Sequence, residues 1–319
     1  MRVLDRLMGM ALVFAAASCT APTPPPRPAP VAQPYPPSPA PRPVVVSVPP
    51  LPPAAVASAP AIINDHALIE ALERSAPKLV SEGKVVPLAE LRPQLGRKQC
   101  SLRLLQPSAQ RLTPAQVYEQ CRSSVLVIGG LHKCDKCPRW HAGTSCAFPL
   151  TASGAIVTNY HVVANKEHYA LVAMSCEGAL FPVREVLAAS QDDDVAILQL
   201  DAPGAVFRPL ALSPRAPVGA PVCVISHPDR HFYALTCGIV SRYVRRAKAG
   251  RPATWMEITA DYARGSSGGP VLDERGAVAG LVASTESVYY KIVDGRKEDL
   301  QMVFKDCVPA ESVLKLIRP

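Results

Sequence analysis

Aromatic residues make up only 5% of the 319-residue sequence, and its lysines and arginines are dispersed along the chain. The formal net charge of +8 would suit an acidic partner. Nucleic-acid-binding surfaces, however, gather basic residues into a stripe and interleave them with aromatic ones, and the sequence has no such stripe. We therefore expect no nucleic-acid partner and interpret the charge as a solvated surface.

The apolar stretch near the N-terminus, residues 7–17, is too short to span a bilayer, which takes about 20 residues. Arg2 and Arg6 precede it, and small residues stand directly before Cys19. This pattern predicts an export signal over residues 1–19. It resembles a bacterial lipobox, which implies lipidation of Cys19 and a lipid anchor in the membrane. An ordinary cleaved signal peptide is the alternative, and both interpretations predict a protein of the periplasm or cell envelope.

Two segments follow before the main domain. Residues 20–60 are rich in proline, which favours an extended, semi-rigid and disordered linker over a packed structure. Residues 61–121 predict a small helical extension. One helix is indicated over residues 65–76 by helically spaced apolar residues after Asn64 or Asp65, and another begins at Thr113 with the pattern of a capping box.

After Arg122 the sequence changes to short apolar runs separated by turn residues, which predicts an all-β domain over residues 122–319. Strands at this spacing without long helices between them favour a barrel or a sandwich. An α/β-hydrolase would begin a helix directly after its nucleophile, but Ser267 is followed by Gly-Gly-Pro. The predicted strands lie in the runs SSVLVIGG, SGAIVTNYHVV, YALVAMS, DVAILQL, PVCVISHPD, LTCGIVSRYV, TWMEITAD, GAVAGLVAST and LQMVFKDC.

Three motifs occur in a fixed order within this domain: TNYHVV around His161, DVAIL beginning at Asp194, and ADYARGSSGGPVL around Ser267. The order His, Asp, Ser is that of the chymotrypsin arrangement. Together the motifs resemble the trypsin/chymotrypsin superfamily of serine proteases, and more closely its bacterial branch of high-temperature-requirement (Deg) type. The resemblance implies two six-stranded antiparallel barrels and a short C-terminal helix. Only 52 residues (319 minus 267) follow Ser267, so we expect no PDZ domain.

The resemblance also implies a role for each motif residue. Ser267 attacks a carbonyl carbon, His161 takes and returns the proton, and Asp194 orients the imidazole. Asp192 and Asp193 are neighbours, but only Asp194 directly precedes the apolar strand. The backbone amides of Gly265 and Ser267 are the expected oxyanion hole.

Two further positions bear on activation and specificity. Ser266 stands where trypsin-like zymogens have an aspartate, so we expect activity without N-terminal cleavage. The resemblance places Asp261 and Ser284 in the substrate pocket. Asp261 would favour lysine or arginine, but an aspartate at this point also occurs in the bacterial branch without that role. His66, His168, His227 and His231 have no motif around them and are interpreted as structural or exposed.

The sequence has ten cysteines, and in an exported protein most should be paired. Cys223 and Cys237 flank a predicted hairpin and are candidates for a disulfide. Another disulfide is expected between Cys134 and Cys137. The alternatives are free thiols or a zinc site, because Cys134, Cys137, His141 and Cys146 follow the pattern C-x2-C-x3-H-x4-C, one residue short of a zinc knuckle.

These patterns predict a serine endopeptidase that acts on protein or peptide substrates through an acyl-enzyme at Ser267 and needs no cofactor. A non-catalytic or very slow relative that binds peptides or partners is the alternative. A metal-dependent sensor built on the cysteine cluster is compatible with either function.

Overall fold

The computed structural model describes residues 62–134, 136–247 and 250–318. The predicted export signal with Cys19 and the proline-rich linker therefore lie outside the described residues. Among the helices that are described, none is both long and apolar enough to cross a membrane.

Residues 62–121 contain the predicted helices. The Asn64 side chain accepts a 2.9 Å hydrogen bond from the Ala67 amide and caps the first helix. Thr113 caps the last one in a reciprocal capping box with Gln116, as the sequence predicts. The elements are α1 (Asp65–Ser81), α2 (Leu88–Leu91), a 3-10 helix (Arg92–Gly96), the short strand β1 (Cys100–Ser101) and α3 (Pro114–Cys121).

These helices belong to the core of the β domain. Leu72 and Ala76 of α1 and Val117 of α3 are buried in one cluster with strand residues such as Val127. A Cβ atom at Gly129 would lie only 3.0 Å from a Leu72 methyl carbon, so helix and sheet are in direct contact. The extension therefore packs as part of a compact unit, residues 60–319.

The first barrel closes in the order β2-β3-β4-β7-β6-β5, with antiparallel neighbours throughout. A short helix, α4 (Tyr160–Ala164), follows β4. The strands are β2 (Leu126–Lys133), β3 (Trp140–Pro149), β4 (Ala155–Thr158), β5 (Ala170–Met174), β6 (Leu180–Ser190) and β7 (Val195–Leu200), and a 3-10 turn (Arg122–Ser124) leads into β2.

The second barrel closes in the order β10-β13-β12-β11-β8-β9, again antiparallel. The predicted fold, all-β with two six-stranded barrels, is thus confirmed. The strands are β8 (Pro221–Ser226), β9 (Ala234–Ala247), β10 (Pro252–Ile258), β11 (Pro270–Asp273), β12 (Val278–Val293) and β13 (Arg296–Pro309), and a 3-10 turn (Pro228–Arg230) follows β8.

The C-terminal helix is shorter than the apolar pattern of residues 309–317 suggests. It is confined to α5 (Ala310–Leu314), and the chain then forms β14 (Ile317–Arg318). This strand pairs in parallel with β1, Cys100 opposite Ile317. The pairing ends the helix early and joins the last described residues to the N-terminal extension.

Candidate active site

His161 and Asp194 are brought together by the pairing of β4 with β7. His161 lies in the first turn of α4, directly after β4, and Asp194 directly precedes β7. Because Thr158 of β4 pairs with Ala196 of β7, the residues that follow and precede these strands meet at one end of the barrel. Asp194 has a φ of 56°, and this left-handed backbone turns its side chain towards α4.

The carboxylate of Asp194 holds His161 at three points. Its Oδ1 and Oδ2 atoms lie 3.0 and 2.9 Å from His161 Nδ1, and Oδ1 also accepts the His161 amide at 3.0 Å. Asp194 is 4% exposed, and the Asn159 side chain donates to its carbonyl at 3.1 Å. A carboxylate fixed against Nδ1 selects the tautomer in which Nε2 carries the lone pair, so the imidazole can act as a base.

Asp192 and Asp193 have other partners. Asp193 accepts hydrogen bonds from Ser190 at 2.9 Å and from Ser312, in the C-terminal helix α5, at 2.8 Å. Asp192 accepts the amide of Arg251 at 3.4 Å. The His161 imidazole is therefore paired with Asp194, the carboxylate that the strand motif indicates.

Ser267 lies in a tight loop before β11. Its neighbour Gly268 has a φ of +83°, and a Cβ atom there would lie 2.1 Å from the carbonyl oxygen of Cys146. The loop is held on both sides, because Cys146 donates its amide to the Ser267 carbonyl at 2.7 Å and Gly268 donates to Val282 at 2.9 Å. A glycine at position 268 is thus required by both conformation and space.

The Ser267 hydroxyl donates to the carbonyl oxygen of Ala283 at 3.4 Å. In the described part of the chain no hydrogen bond joins it to His161. Catalytic hydrogen bonds of this kind are often long or absent before substrate binds. The three residues of the predicted triad are thus positioned by separate elements, with the Asp194–His161 pair already hydrogen-bonded.

The amides of Gly265 and Ser267 donate to no acceptor within residues 62–134, 136–247 and 250–318. Gly265 has a φ of +95°, and a Cβ atom there would lie 2.6 Å from the His227 carbonyl oxygen. Two free amides next to a nucleophile are the arrangement that stabilises an oxyanion.

Ser266 is fully buried, and its hydroxyl accepts a 3.0 Å hydrogen bond from Ser226 at the end of β8. This contact links the loop that carries Ser267 to the end of strand β8. Residue 266, where the sequence resemblance expects the zymogen aspartate, thus has a hydrogen-bond partner within the domain.

The two predicted pocket residues lie on different elements, Asp261 in the loop after β10 and Ser284 in β12, where Ser284 lines a cavity with Arg246 and Trp255. Asp261 is 82% exposed at its side chain and forms an ion pair with Lys305 at 3.2 Å. Ser284 contributes its carbonyl oxygen to a hydrogen bond from the Tyr262 hydroxyl at 3.0 Å, and the same hydroxyl lies 2.8 Å from the Asp306 carbonyl. Tyr262 is buried between the loop and the strands β12 and β13, and burial raises its pKa.

The structure tests both expected disulfides. Cys223 and Cys237 form the expected disulfide across the β8–β9 hairpin. The disulfide expected between Cys134 and Cys137 is not formed, because both are free thiols in the loop that joins β2 to β3. Cys137 Sγ instead lies 3.1 Å from His141 Nε2, and this hydrogen bond lowers the pKa of Cys137 to about 7.

Cys146 is not part of that cluster. It is buried in β3, and its thiol donates to the Gly265 carbonyl at 3.5 Å beneath the nucleophile loop. The four-residue zinc pattern of the sequence is therefore corrected, since Cys146 lies in a strand next to the active site. Among the described residues the group that could hold a metal is Cys134, Cys137 and His141.

Several positioning residues lack a local sequence signal. Cys146, Ser226 and Ala283 contact the Ser267 loop from distant strands. His227, expected to be structural, is fully buried beside the loop and accepts the Tyr233 amide at 3.1 Å. Burial lowers the pKa of His227 to about 3.

The domain that contains these residues is similar to known proteins. Residues 144–281 match the family described as a trypsin-like peptidase domain. Protease Do-like 1 of Arabidopsis thaliana is 34% identical over 145 residues, which cover 44% of this chain and 32% of that protein. A probable DegP-like periplasmic serine endoprotease of Brucella abortus is 31% identical over 136 residues, covering 42% and 26%.

The chain thus spans about a quarter to a third of the length of these two relatives. A solved structure of an HtrA-type protease with a decapeptide aligns with a TM-score of 0.50 and 16% identity over 64% of this chain and 65% of that one, which shows a shared fold. Residues 144–281 of this chain are a trypsin-like peptidase domain homologous to the HtrA and DegP serine proteases.

Proposed function

We propose that the protein is a serine endopeptidase that hydrolyses peptide bonds through an acyl-enzyme at Ser267. The observation that carries this proposal is the pairing of the buried Asp194 carboxylate with His161 Nδ1 at 2.9 and 3.0 Å, which leaves Nε2 as a base. The homology to serine proteases supports the same activity.

In this mechanism the Ser267 hydroxyl exchanges its hydrogen bond to Ala283 for one to His161 Nε2. Its oxygen attacks the substrate carbonyl carbon while its proton passes to Nε2. The negative charge that develops on the carbonyl oxygen is stabilised by the amides of Gly265 and Ser267, and each such donor typically contributes about 2.7–4 kcal/mol.

The protonated His161 then gives its proton to the leaving amine, and the peptide bond breaks. A water molecule, deprotonated by the same nitrogen, attacks the acyl-enzyme ester and releases the carboxylic acid with Ser267 restored. Throughout, the ionised Asp194 stabilises the imidazolium and keeps its orientation.

The substrate is a peptide or an unfolded protein. Two solved HtrA-type proteases of the same fold hold a decapeptide and a tripeptide, and this chain has strand β12 beside Ser267. Asp261 is already neutralised by Lys305, so it supplies no unpaired negative charge for a basic side chain. Cleavage after lysine or arginine is therefore not specially favoured.

The location is the bacterial periplasm or cell envelope. Arg2, Arg6 and the short apolar stretch support export, and DegP-like relatives are named as periplasmic. The small residues before Cys19 support a lipid anchor at that cysteine, followed by the proline-rich segment as a tether.

Labelling with a fluorophosphonate probe, together with casein hydrolysis, tests the activity. The wild-type protein should be labelled and should digest casein, whereas Ser267→Ala should do neither. Ser287→Ala removes an exposed hydroxyl further along β12 and should behave as wild type.

Two results would contradict the proposal. Labelling that persists in Ser267→Ala would place the nucleophile elsewhere. A folded wild-type protein that binds peptides but is neither labelled nor active would support the alternative function, a peptide-binding module on a protease fold.

A further inference from the structure

A cluster of sulfur and imidazole ligands lies at the tip of the β2–β3 hairpin. One ligand atom from each of Cys134, Cys137 and His141 lies within 4.8 Å of the other two. Cys137 Sγ lies 3.1 Å from His141 Nε2. The peptidase mechanism uses none of these three residues.

We propose that Cys134, Cys137 and His141, with His132 as the fourth ligand, bind one zinc ion. Zinc in proteins prefers thiolate and imidazole ligands in a closed tetrahedron, whereas magnesium and calcium prefer oxygen. A tetrahedron with these bond lengths places neighbouring ligand atoms about 3.3–3.8 Å apart. The three residues therefore need only small movements to close around the ion.

His132 lies beside His141 and is the proposed fourth ligand. It pairs directly with His141 across the two strands, so both side chains point to the same face of the sheet. Their ring centroids are 5.9 Å apart, against about 5 Å for two imidazoles on one zinc ion. His132 Nδ1 lies 3.3 Å from the Gly130 carbonyl, which fixes the ring and leaves Nε2 for the metal.

The strands that carry the two histidines are rigid on both sides of the cluster. Lys133 places its ammonium group 5.4 Å from the centre of the Trp140 ring, and Trp140 packs on Tyr169 at 5.4 Å. His168 stacks on the other side of His132 with ring centroids 5.9 Å apart. The two histidines are thus held by strands, and the two cysteines are supplied by the loop between these strands.

The site is separate from the active site. His141 and Cys146 are both in β3, five residues apart (146 minus 141), which corresponds to about 16 Å along a strand. Cys146 contacts the Ser267 loop. Zinc at the hairpin tip therefore stabilises the far end of this strand and takes no part in the chemistry at Ser267.

Metal analysis of the whole protein, purified without chelators, tests the proposal. We expect about one zinc per chain in the wild type, and a loss of at least tenfold in bound zinc in Cys134→Ser, Cys137→Ser and His141→Ala. Cys176→Ser is the control, because Cys176 is a free thiol in the turn after β5 and should leave the zinc content unchanged. Melting curves of each variant show whether it is folded.

Cobalt substitution gives a second measurement that does not depend on activity. The cobalt-loaded wild type should show sulfur-to-cobalt charge-transfer bands and the strong visible bands of a tetrahedral site, which His132→Ala should weaken. An unchanged cobalt spectrum in His132→Ala would overturn its role as the fourth ligand.

Mass mapping of the non-reduced protein tests the alternative chemistry, a disulfide between Cys134 and Cys137. Two results together would overturn the site. One is a peptide of the non-reduced protein in which Cys134 is linked to Cys137. The other is a lack of bound zinc in protein that was prepared under reducing conditions and then supplied with zinc. Fluorophosphonate labelling of Ser267 in the same samples keeps this outcome distinct from a failure of the proposed peptidase function.

Discussion

The amide of Cys146 donates a 2.7 Å hydrogen bond to the carbonyl oxygen of Ser267, so a strand of the first barrel holds the nucleophile loop of the second. The Cys146 carbonyl lies against Gly268, where a Cβ atom would approach it to 2.1 Å. The position of Ser267 relative to His161 therefore depends on a close backbone contact between the two barrels.

Gly268→Ala should abolish this contact. Both the positive φ and the clash with Cys146 oppose an alanine, so we expect peptidase activity to fall by at least about 100-fold, since small displacements of a nucleophile have effects of this size. Gly178→Ala is the matched control, because Gly178 has nearly the same φ, +84°, with no atom near its Cβ position. Equal activity of the two variants, measured on casein, would show that the contact is unimportant.

Asp194→Asn should reduce turnover by about four orders of magnitude at neutral pH. The amide cannot select the same imidazole tautomer or stabilise the imidazolium, although the fold is retained. Asp193→Asn is the control, because Asp193 bonds Ser190 and Ser312 and should affect thermal stability more than turnover. Kinetics that identify Asp193 as the damaging position would contradict the assignment of the triad.

The parts of this structure that could be predicted depend on local sequence. Helix caps at Asn64 and Thr113 follow from neighbouring residues, and short apolar runs bounded by polar residues, such as DVAILQL, indicate strands. The three motifs identify the candidate triad because each carries its residue in a specific local pattern. The Cys223–Cys237 disulfide follows from a hairpin that brings the two positions opposite each other.

The parts that could not be predicted depend on contacts between distant residues. A strand is expected at Cys146, but its full length from Trp140 was not evident, because the residues before Cys146 read first as a cysteine and histidine cluster. The end of the C-terminal helix is set by the pairing of β14 with β1, which no local pattern encodes. The same holds for the support of the Ser267 loop by Cys146 and by Ser226, 41 residues (267 minus 226) before it.

The buried hydrogen bond between Ser226 and Ser266 should stabilise the nucleophile loop. Ser266→Ala leaves the Ser226 hydroxyl buried without its partner, so we expect a loss of about 1–3 kcal/mol in the free energy of unfolding. The double variant Ser226→Ala/Ser266→Ala removes both polar groups and should cost less than the sum of the single variants. Strict additivity in denaturant titrations would show that the two hydroxyls do not interact.

The N-terminal helices should be needed for stability, and they should not have to be removed for activity: the protein should be active without cleavage between residues 61 and 122. Leu72 is fully buried against β2, so Leu72→Ala should lower the free energy of unfolding by about 2–5 kcal/mol. Leu105→Ala, at a leucine that is 52% exposed, should change stability little. Activity that appears only after N-terminal processing, followed by mass spectrometry, would contradict the prediction.

His227 should make the fold sensitive to acid. The buried imidazole accepts the Tyr233 amide at Nδ1, so protonation there would break this hydrogen bond as well as bury a charge. Its pKa is lowered from 6.5 to about 3 by burial, which means that the unfolded chain binds a proton in the range where the folded chain does not. Stability is therefore full above pH 6.5 and falls as the pH drops towards 3, with about 2 kcal/mol lost at pH 5.

His227→Asn should flatten this dependence, because the Asn side-chain oxygen can accept the Tyr233 amide in place of Nδ1 and does not titrate. His231→Asn is the control, since His231 is 75% exposed at its side chain and should leave the slope unchanged. Urea titrations between pH 7.5 and about 4.5 measure the slope, which follows the difference in bound protons between the two states. If His227→Asn folds but keeps the slope of the wild type, the acid sensitivity originates in other groups, and His227 is not the buried neutral imidazole that this geometry indicates.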